Sequence, residues 1–394
     1  MHASVALPFR TALVFALTLA PASGLEAENA VLDAVDDTVN AAWTFATHGP
    51  VFSTAAAEDA EIYIGSDDGH LYALDATDGT LRWSTPLGGR VRSRAWIEGP
   101  SLFVTSENHA FALRREDGAV LWTFSPDDAR GAGPADTWDY HQSSPVVHGD
   151  LVYFGRGNGR LHALERTSGQ LRFSVETVER AAIRSTPAIA RGTVYFGDWN
   201  GVIYAVDAAT GERRWMRETC PAPKPYPQFG GAVSAMVVHD GRLHFGLRNP
   251  DVLGLDLADG AVAWRFTAQD GSWVPGTPVI AEGTLYITGS DDHRVHALDV
   301  ASGQPRWSCD VGANMFVAPL MHGDRLLVTD GDSYAASPGR GRLHVIDRAT
   351  GRRIRTVALG ANACASSPVL VGNRVVIGRE DGTVAAFDLA ALIP

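Results

Sequence analysis

The 394-residue chain lacks most of the sequence features that mark enzymes and integral membrane proteins. It has three cysteines, Cys220, Cys309 and Cys364, and their spacing matches no zinc or haem-attachment motif. No nucleophile-elbow, HExxH or phosphate-loop sequence occurs, so nothing points to a hydrolase, a metalloprotease or a kinase. Two interpretations of the cysteines stay open: one disulfide with a thiol left over, or three isolated buried thiols.

Positive charge and long apolar runs are scarce too. The 33 Lys and Arg residues face 45 Asp and Glu residues, which gives a formal net charge of −12. A surface of that sign repels nucleic acid and anionic lipid, so we expect no nucleic-acid partner. No segment is apolar over the ~20 residues of a membrane-spanning helix, so no membrane span is expected.

The first residues read as an export signal. Arg10 precedes an apolar stretch from Thr11 to Ala20, and small residues follow it up to a cleavage point after Ala27. We therefore predict a signal peptide over residues 1–27 and a lead over residues 28–40. Because no cysteine stands at the cleavage point, no lipid anchor is expected, and the mature chain should be periplasmic or secreted.

One sequence phrase recurs along the rest of the chain. IYIGSDDGHLYALDATDGTLRW (Ile62 to Trp83) matches LYITGSDDHRVHALDVASGQPRW (Leu285 to Trp307), with further copies at spacings of 39 to 51 residues. Each copy contains four strand-like stretches separated by turns rich in Gly, Asp and Asn, and helical periodicity is absent. A period in the forties with this content predicts four-stranded propeller blades.

An aromatic residue closes most copies, about five residues after a turn glycine. An indole at that place would wedge between adjacent blades and offer its N–H to a backbone carbonyl. We therefore interpret the following residues as structural blade-docking positions: Trp43, Trp83, Trp122, Phe173, Trp215, Trp264 and Trp307.

The blade count follows from the two ends of the chain. Seven copies are complete, and an eighth begins at Ser366 and stops without a fourth strand, whereas Ala41 to Phe45 is a fourth strand without a blade. Joining the two fragments closes the ring and removes an exposed edge. The prediction is an all-β, eight-bladed β-propeller over residues 41–394, existing as a monomeric ring.

The pattern YxGxxxGxLYALDxxTGxxxW resembles the pyrroloquinoline-quinone-like propeller repeat. The resemblance covers nearly all of residues 41–394. It implies one of two branches: quinone- and calcium-dependent dehydrogenases of alcohols or sugars, or a non-catalytic branch similar to the lipoprotein propeller of outer-membrane β-barrel assembly. The adjacent cysteine pair typical of the alcohol dehydrogenases is missing, and no clear calcium set of Asp, Asn and Glu stands out. We therefore expect no cofactor, with pyrroloquinoline quinone plus calcium as the alternative.

Three insertions locate the expected binding face. They are FSPDDARGAGPADTWDYHQ before the third blade, ETCPAPKPYPQFGG before the fifth, and GDSYAASPGRGR inside the seventh. In an up-and-down blade, the link into the first strand and the second-to-third turn lie on one face. All three insertions should therefore decorate the same side, where repeat proteins commonly bind their ligands; tolerated surface loops are the alternative.

The candidate binding residues cluster at the channel mouth of that face. They are Arg92, Arg94, Trp138, Tyr140, His141, Arg184, Trp199, Tyr226, Phe229 and Trp273. The arginines would hold a small anionic ligand and the aromatics would contact a protein partner. In the competing interpretation the arginines pair with Asp136, Asp139 or Asp198 and close the channel. The sequence favours a non-enzymatic binding or scaffold protein, including a role in envelope assembly, with no catalytic residue and no metal.

Overall fold

A computed structural model describes residues 37–107, 109–126, 139–220, 229–269, 272–332 and 341–393 of the protein. The signal prediction (residues 1–27), Asp136, Trp138 and Tyr226 lie outside these residues. Most of each of the three insertions lies outside them as well.

The described residues form eight sheets of antiparallel strands around one axis. Two strands come first in the chain: β1 (Asp37–Thr38) and β2 (Trp43–Ala46). Blades one to four follow: β3 (Ala56–Glu58), β4 (Glu61–Gly65), β5 (His70–Asp75), β6 (Leu81–Pro86); β7 (Trp96–Glu98), β8 (Ser101–Thr105), β9 (Ala110–Arg114), β10 (Val120–Phe124); β11 (Val146–His148), β12 (Leu151–Gly155), β13 (Arg160–Glu165), β14 (Leu171–Glu176); β15 (Ala188–Ala190), β16 (Thr193–Gly197), β17 (Val202–Asp207), β18 (Arg213–Glu218).

Blades five to eight have the same plan. Their strands are β19 (Val237–His239), β20 (Arg242–Gly246), β21 (Asp251–Asp256), β22 (Val262–Thr267); β23 (Val279–Ala281), β24 (Thr284–Thr288), β25 (Arg294–Asp299), β26 (Pro305–Asp310); β27 (Leu320–His322), β28 (Arg325–Asp330), β29 (Arg342–Asp347), β30 (Arg353–Ala358); β31 (Val369–Val371), β32 (Arg374–Gly378) and β33 (Thr383–Asp388). A 3₁₀ turn (Val178–Arg180) and a C-terminal helix α1 (Leu389–Leu392) complete the elements.

The eighth blade joins the two ends of the chain. Strand β2 pairs antiparallel with β33, in the register Trp43 with Ala386 and Ala46 with Thr383. The predicted ring closure and the eight-blade count are both confirmed. One element was not expected: β1 adds to blade seven as a fifth strand, parallel to β30.

Apolar packing runs between blades, because the middle strands of each blade face two neighbours. One buried cluster joins Trp43 and Val384 of the eighth blade to Ile62 and Leu74 of the first. The ring is thus closed by side-chain packing as well as by strand pairing.

The alternation of strand directions defines two faces. The links between blades and the second-to-third turns lie on one face, here called the link face, and the other turns lie on the opposite face. The ends of the strands that flank all three insertions lie on the link face.

Candidate functional site

The eight innermost strands surround a central channel. The channel encloses about 820 Å³ and all eight blades contribute residues to its wall. Arg92, Arg94, Tyr140, His141 and Arg184 all line it, so the structure brings these five sequence-predicted residues together.

Tyr140 lies across the mouth of the channel on the link face. Its ring comes from blade three and reaches Phe52 of blade one, at 5.2 Å between ring centroids, and Phe316 of blade seven, at 5.1 Å. The guanidinium of Arg92 lies 4.5 Å from the centroid of the Phe52 ring. Phe52 and Phe316 were missed from the sequence, because each occupies a position where other repeats carry unrelated residues.

Two of the three predicted arginines are bound to carboxylates. Arg92 holds Asp67 with two hydrogen bonds of 2.8 and 2.7 Å and also donates to the backbone carbonyl of Asp139. Arg184 is 6% exposed and donates from Nε to the Asp139 carboxylate at 2.9 Å. The channel-closing interpretation therefore fits Arg184 with Asp139, whereas the partner of Arg92 is Asp67, which sequence reasoning did not name.

Arg94 differs from both. No ion pair joins it to a carboxylate within the described residues, and its side chain is exposed to the channel interior. Partial desolvation by the channel walls lowers the pKa of its guanidinium below the ordinary value, although the side chain remains exposed along the channel.

His141 is a neutral residue of the channel wall. Burial, followed by the charges of Arg248 and Arg92, lowers its pKa to about 4. The imidazole is therefore uncharged near neutral pH, and it packs 6.3 Å from the Phe316 ring.

Trp199 and Trp273 enclose a residue of the chain itself. The guanidinium of Arg248 lies 4.4 Å from one indole ring centroid and 4.1 Å from the other, and Arg248 is 2% exposed. Both tryptophans are buried, and each lies close to the Arg248 guanidinium. Phe229 lies in the link into blade five and is half-buried. Arg248 lies in the second-to-third turn of blade five, between β20 and β21, and the sequence did not reveal its role because the two indoles that enclose it come from other segments of the chain.

The indoles of the blade-docking positions lie against the next blade. Each donates from Nε1 to a backbone carbonyl there, at 2.9–3.0 Å: Trp43 to Ala76, Trp83 to Arg115, Trp122 to Arg166, Trp215 to Leu257, Trp264 to Val300 and Trp307 to Arg348. Phe173 has no such hydrogen, and at its junction the hydroxyl of Tyr153 donates to Ala208 instead, at 2.7 Å.

The cysteines and the described acidic residues are the groups that could form disulfides or metal sites. All three cysteines are buried free thiols, so the disulfide interpretation does not hold in this structure. In the part of the chain that the structure describes, no three His, Cys, Asp or Glu side chains come close enough to hold a metal ion. No described helix is long and apolar enough to cross a membrane.

The fold and its repeats define the class: a closed, eight-bladed propeller of the pyrroloquinoline-quinone-like repeat. The model of the family described as "Outer membrane protein assembly factor BamB" matches residues 28–265 and 248–336. The chain belongs to this family, and the resemblance inferred from the repeats is confirmed.

Individual proteins are similar to this chain in sequence or in fold. The chain is similar to the outer membrane protein assembly factor BamB of Yersinia pestis, with 26% identity over 337 residues, 84% of this chain and 70% of the relative. The crystal structure of BamB from Moraxella catarrhalis matches with a TM-score of 0.67 and 18% identity, covering 89% of this chain and 98% of that one. Quinohemoprotein alcohol dehydrogenase from Comamonas testosteroni matches with a TM-score of 0.69 and 14% identity, covering 93% and 78%. At these identities, the two structural matches show a shared fold.

Proposed function

We propose that this chain is an exported, non-enzymatic scaffold that serves in outer-membrane protein assembly by holding a protein partner on its link face. The observation that carries the proposal is the family match over residues 28–336. The name of the family states an assembly role, and a propeller presents a broad rigid surface suited to protein contact.

The link face is the proposed contact surface. The strand ends that flank the three insertions lie there, and loops placed on a rigid scaffold commonly carry the binding residues. Tyr140 crosses the channel mouth between Phe52 and Phe316. This face is therefore better suited to binding the surface of a partner protein than to admitting a small substrate into the channel.

Export is part of the proposal. The charged residue, short apolar stretch and small residues near the N-terminus support passage into the periplasm or out of the cell. Cell fractionation together with N-terminal sequencing of the mature protein tests it, and a chain that retains residues 1–27 would contradict it.

Charge reversals on opposite faces test the contact surface. Arg90, which is half-buried, and Glu179, which is exposed, lie in inter-blade links on the link face. Arg114 and Glu116 are exposed at a third-to-fourth turn on the opposite face. In a strain lacking the gene, outer-membrane protein levels should fall and wild type should restore them. We expect Arg90→Glu combined with Glu179→Arg to restore less than the control pair, Arg114→Glu with Glu116→Arg. Equal rescue by both pairs would contradict the assignment of this face.

A quinone-dependent dehydrogenase is the second candidate, favoured by the fold shared with the Comamonas enzyme. Calcium sites usually include several carboxylates, and among the described residues no three His, Cys, Asp or Glu side chains lie close enough together to hold a metal ion. Calorimetric titration with pyrroloquinoline quinone, with and without calcium, decides between the two functions. We expect no calcium-dependent binding, whereas tight calcium-dependent binding would replace the scaffold proposal.

A further inference from the structure

Eight residues at equivalent positions in the eight blades form one level of the channel wall. This level lies deeper in the channel than Tyr140, which crosses the mouth on the link face. Each belongs to the innermost segment of one blade, and all of them line the channel: Thr54, Arg94, Ser144, Thr186, Ala235, Thr277, Ala318 and Ser367. Five of the eight carry a hydroxyl group and one carries a guanidinium. This level is called the hydroxyl belt below.

The hydroxyl oxygens are already oriented by the backbone. Each accepts a hydrogen bond from a backbone N–H of the preceding blade: Arg94 to Ser144 at 2.9 Å, Ser144 to Thr186 at 3.1 Å, Ala235 to Thr277 at 3.2 Å, Ala318 to Ser367 at 2.9 Å and Ser367 to Thr54 at 3.1 Å. A hydroxyl that accepts in this way still has its own hydrogen to donate. No acceptor takes these hydrogens among the described residues, so the belt faces the channel interior with donors.

Arg94 adds a positive charge to the same belt. Arg92 and Arg184, one level above, are neutralised by Asp67 and Asp139, whereas no described carboxylate pairs with Arg94. Glu58, which also lines the channel, is paired with Arg115. The guanidinium of Arg94 is exposed to the channel interior and has no described counter-charge, so an anion in the channel can accept charge-assisted hydrogen bonds from it.

The next level of the channel is apolar. Trp96, Val146, Val279, Leu320 and Val369 line it, and the indole of Trp96 is fixed by a hydrogen bond from Nε1 to Glu98 at 3.1 Å. A ligand that reaches the belt from the opposite face passes this apolar level first. The channel therefore pairs a cationic, hydrogen-donating end with an apolar end.

We propose that the channel binds an organic carboxylate with an apolar body, its carboxylate held by Arg94 and the hydroxyl belt and its body lying along the apolar level. Because Tyr140 crosses the mouth on the link face, the ligand enters from the opposite face. Inorganic phosphate satisfies the belt but leaves the apolar level uncovered, which is why an amphipathic anion fits better. This site is independent of the assembly role.

Octanoate is the probe, and calorimetry on the purified mature protein at low salt is the measurement. Octan-1-ol, with the same chain and no charge, and inorganic phosphate, with charge and no apolar body, are the ligand controls. Arg94→Gln removes the lumenal charge, Arg94→Lys keeps it, and Arg114→Gln makes the same neutralisation on the exterior. Melting curves confirm that each variant is folded.

We expect octanoate to bind wild type and Arg114→Gln alike, and to bind Arg94→Gln about tenfold or more weakly, since a charge-assisted hydrogen bond is lost. Arg94→Lys should lie between these values. The proposal is overturned if octanoate does not bind, if Arg94→Gln binds as well as wild type, if octan-1-ol binds as tightly as octanoate, or if only phosphate binds. The rescue assay for the assembly role uses other residues, so failure of one proposal leaves the other standing.

Discussion

At the scale of single residues, the junction between blades depends on an indole lying on a glycine. The Trp264 ring lies against Gly303 of the next blade, whose φ of 71° falls in the left-handed region, and Trp264 donates to Val300 at 3.0 Å. Gly303, in the turn between β25 and β26, is therefore constrained in two ways: its φ is positive, and the Trp264 indole occupies the space that a β-carbon would need.

Replacement of that glycine separates backbone strain from packing. Gly323 has a similar φ of 57° and nothing within 4 Å of an added β-carbon, so Gly323→Ala should lose about 1 kcal/mol of unfolding free energy from strain alone. Gly303→Ala should lose about 2 kcal/mol more, because the new carbon overlaps the Trp264 indole. Urea denaturation of both variants measures the difference, and equal losses would show that the indole moves aside freely.

Two buried histidines make stability depend on pH. Burial, followed by the charges of Arg156 and Arg160, lowers the pKa of His162 to about 3, and burial lowers that of His244 to about 4. Among the described residues, neither nitrogen of His162 has a hydrogen-bond partner. Below pH ~6.5 the unfolded chain takes up a proton at each histidine, whereas the folded chain does not. The contribution of these histidines to the free energy of unfolding is therefore complete above that pH and is lost as the pH falls toward the folded pKa.

Replacement by phenylalanine tests this dependence. His162 lies between Phe124 and Phe154, with ring centroids at 5.2 and 5.6 Å, so His162→Phe fits an aromatic setting. Wild type should lose about 2 kcal/mol more than this variant between pH 6.5 and 5. Denaturation curves at several pH values give the slopes, with the exposed His148→Asn as control. The idea fails if the His162→Phe and wild-type slopes coincide.

At the scale of elements, the closing strand matters far more than the strand before it. Strand β2 supplies the outer strand of blade eight, and its Trp43 donates to Ala76 of blade one at 3.0 Å. Strand β1 adds two residues to the outside of a blade that already has four strands. The two neighbouring strands therefore have unequal roles.

Two N-terminal truncations measure that inequality. A chain that starts at Val39 lacks β1 and should melt close to the full mature protein. A chain that starts at Thr47 also lacks β2, exposes the edge of β33 and loses the Trp43 contact, so it should lose more than about 3 kcal/mol and tend to aggregate. Light scattering and thermal melting report both effects, and similar melting of the two truncations would contradict closure through β2.

At the scale of the whole molecule, the ring should open as a unit. Every blade packs on two neighbours, and the eighth is built from both ends of the described chain, so loss of any junction leaves two unpaired blade faces. Cooperative opening of this kind differs from an open repeat array, whose end repeats can fray.

The buried thiols report on this cooperativity. Cys309 lies in blade six and Cys364 leads into blade eight, and both are fully buried. In subdenaturing urea, we expect a thiol reagent to label the two cysteines with the same dependence on urea, because both become accessible only on global opening. Mass spectrometry of labelled peptides measures each site. Clearly earlier labelling of one cysteine would mean that its blade opens alone.

The sequence was sufficient to predict the repeat, the blade count and the closure, since these depend on local signals. A turn glycine followed by an aromatic residue recurs at each blade, and the incomplete copies at the two ends complement each other. The prediction of Trp43 in a closing strand used no long-range information beyond this complementarity.

The channel was decided by tertiary structure. Arg92, Arg94 and Arg184 look alike in the sequence, yet Asp67 and Asp139 neutralise two of them and leave the third facing the channel. Arg248 lies between two indoles from other blades. The repeats determine which residues face the axis, because that depends on strand periodicity. The residues that meet across the axis come from distant parts of the chain, so no local sequence pattern predicts which of them will pair.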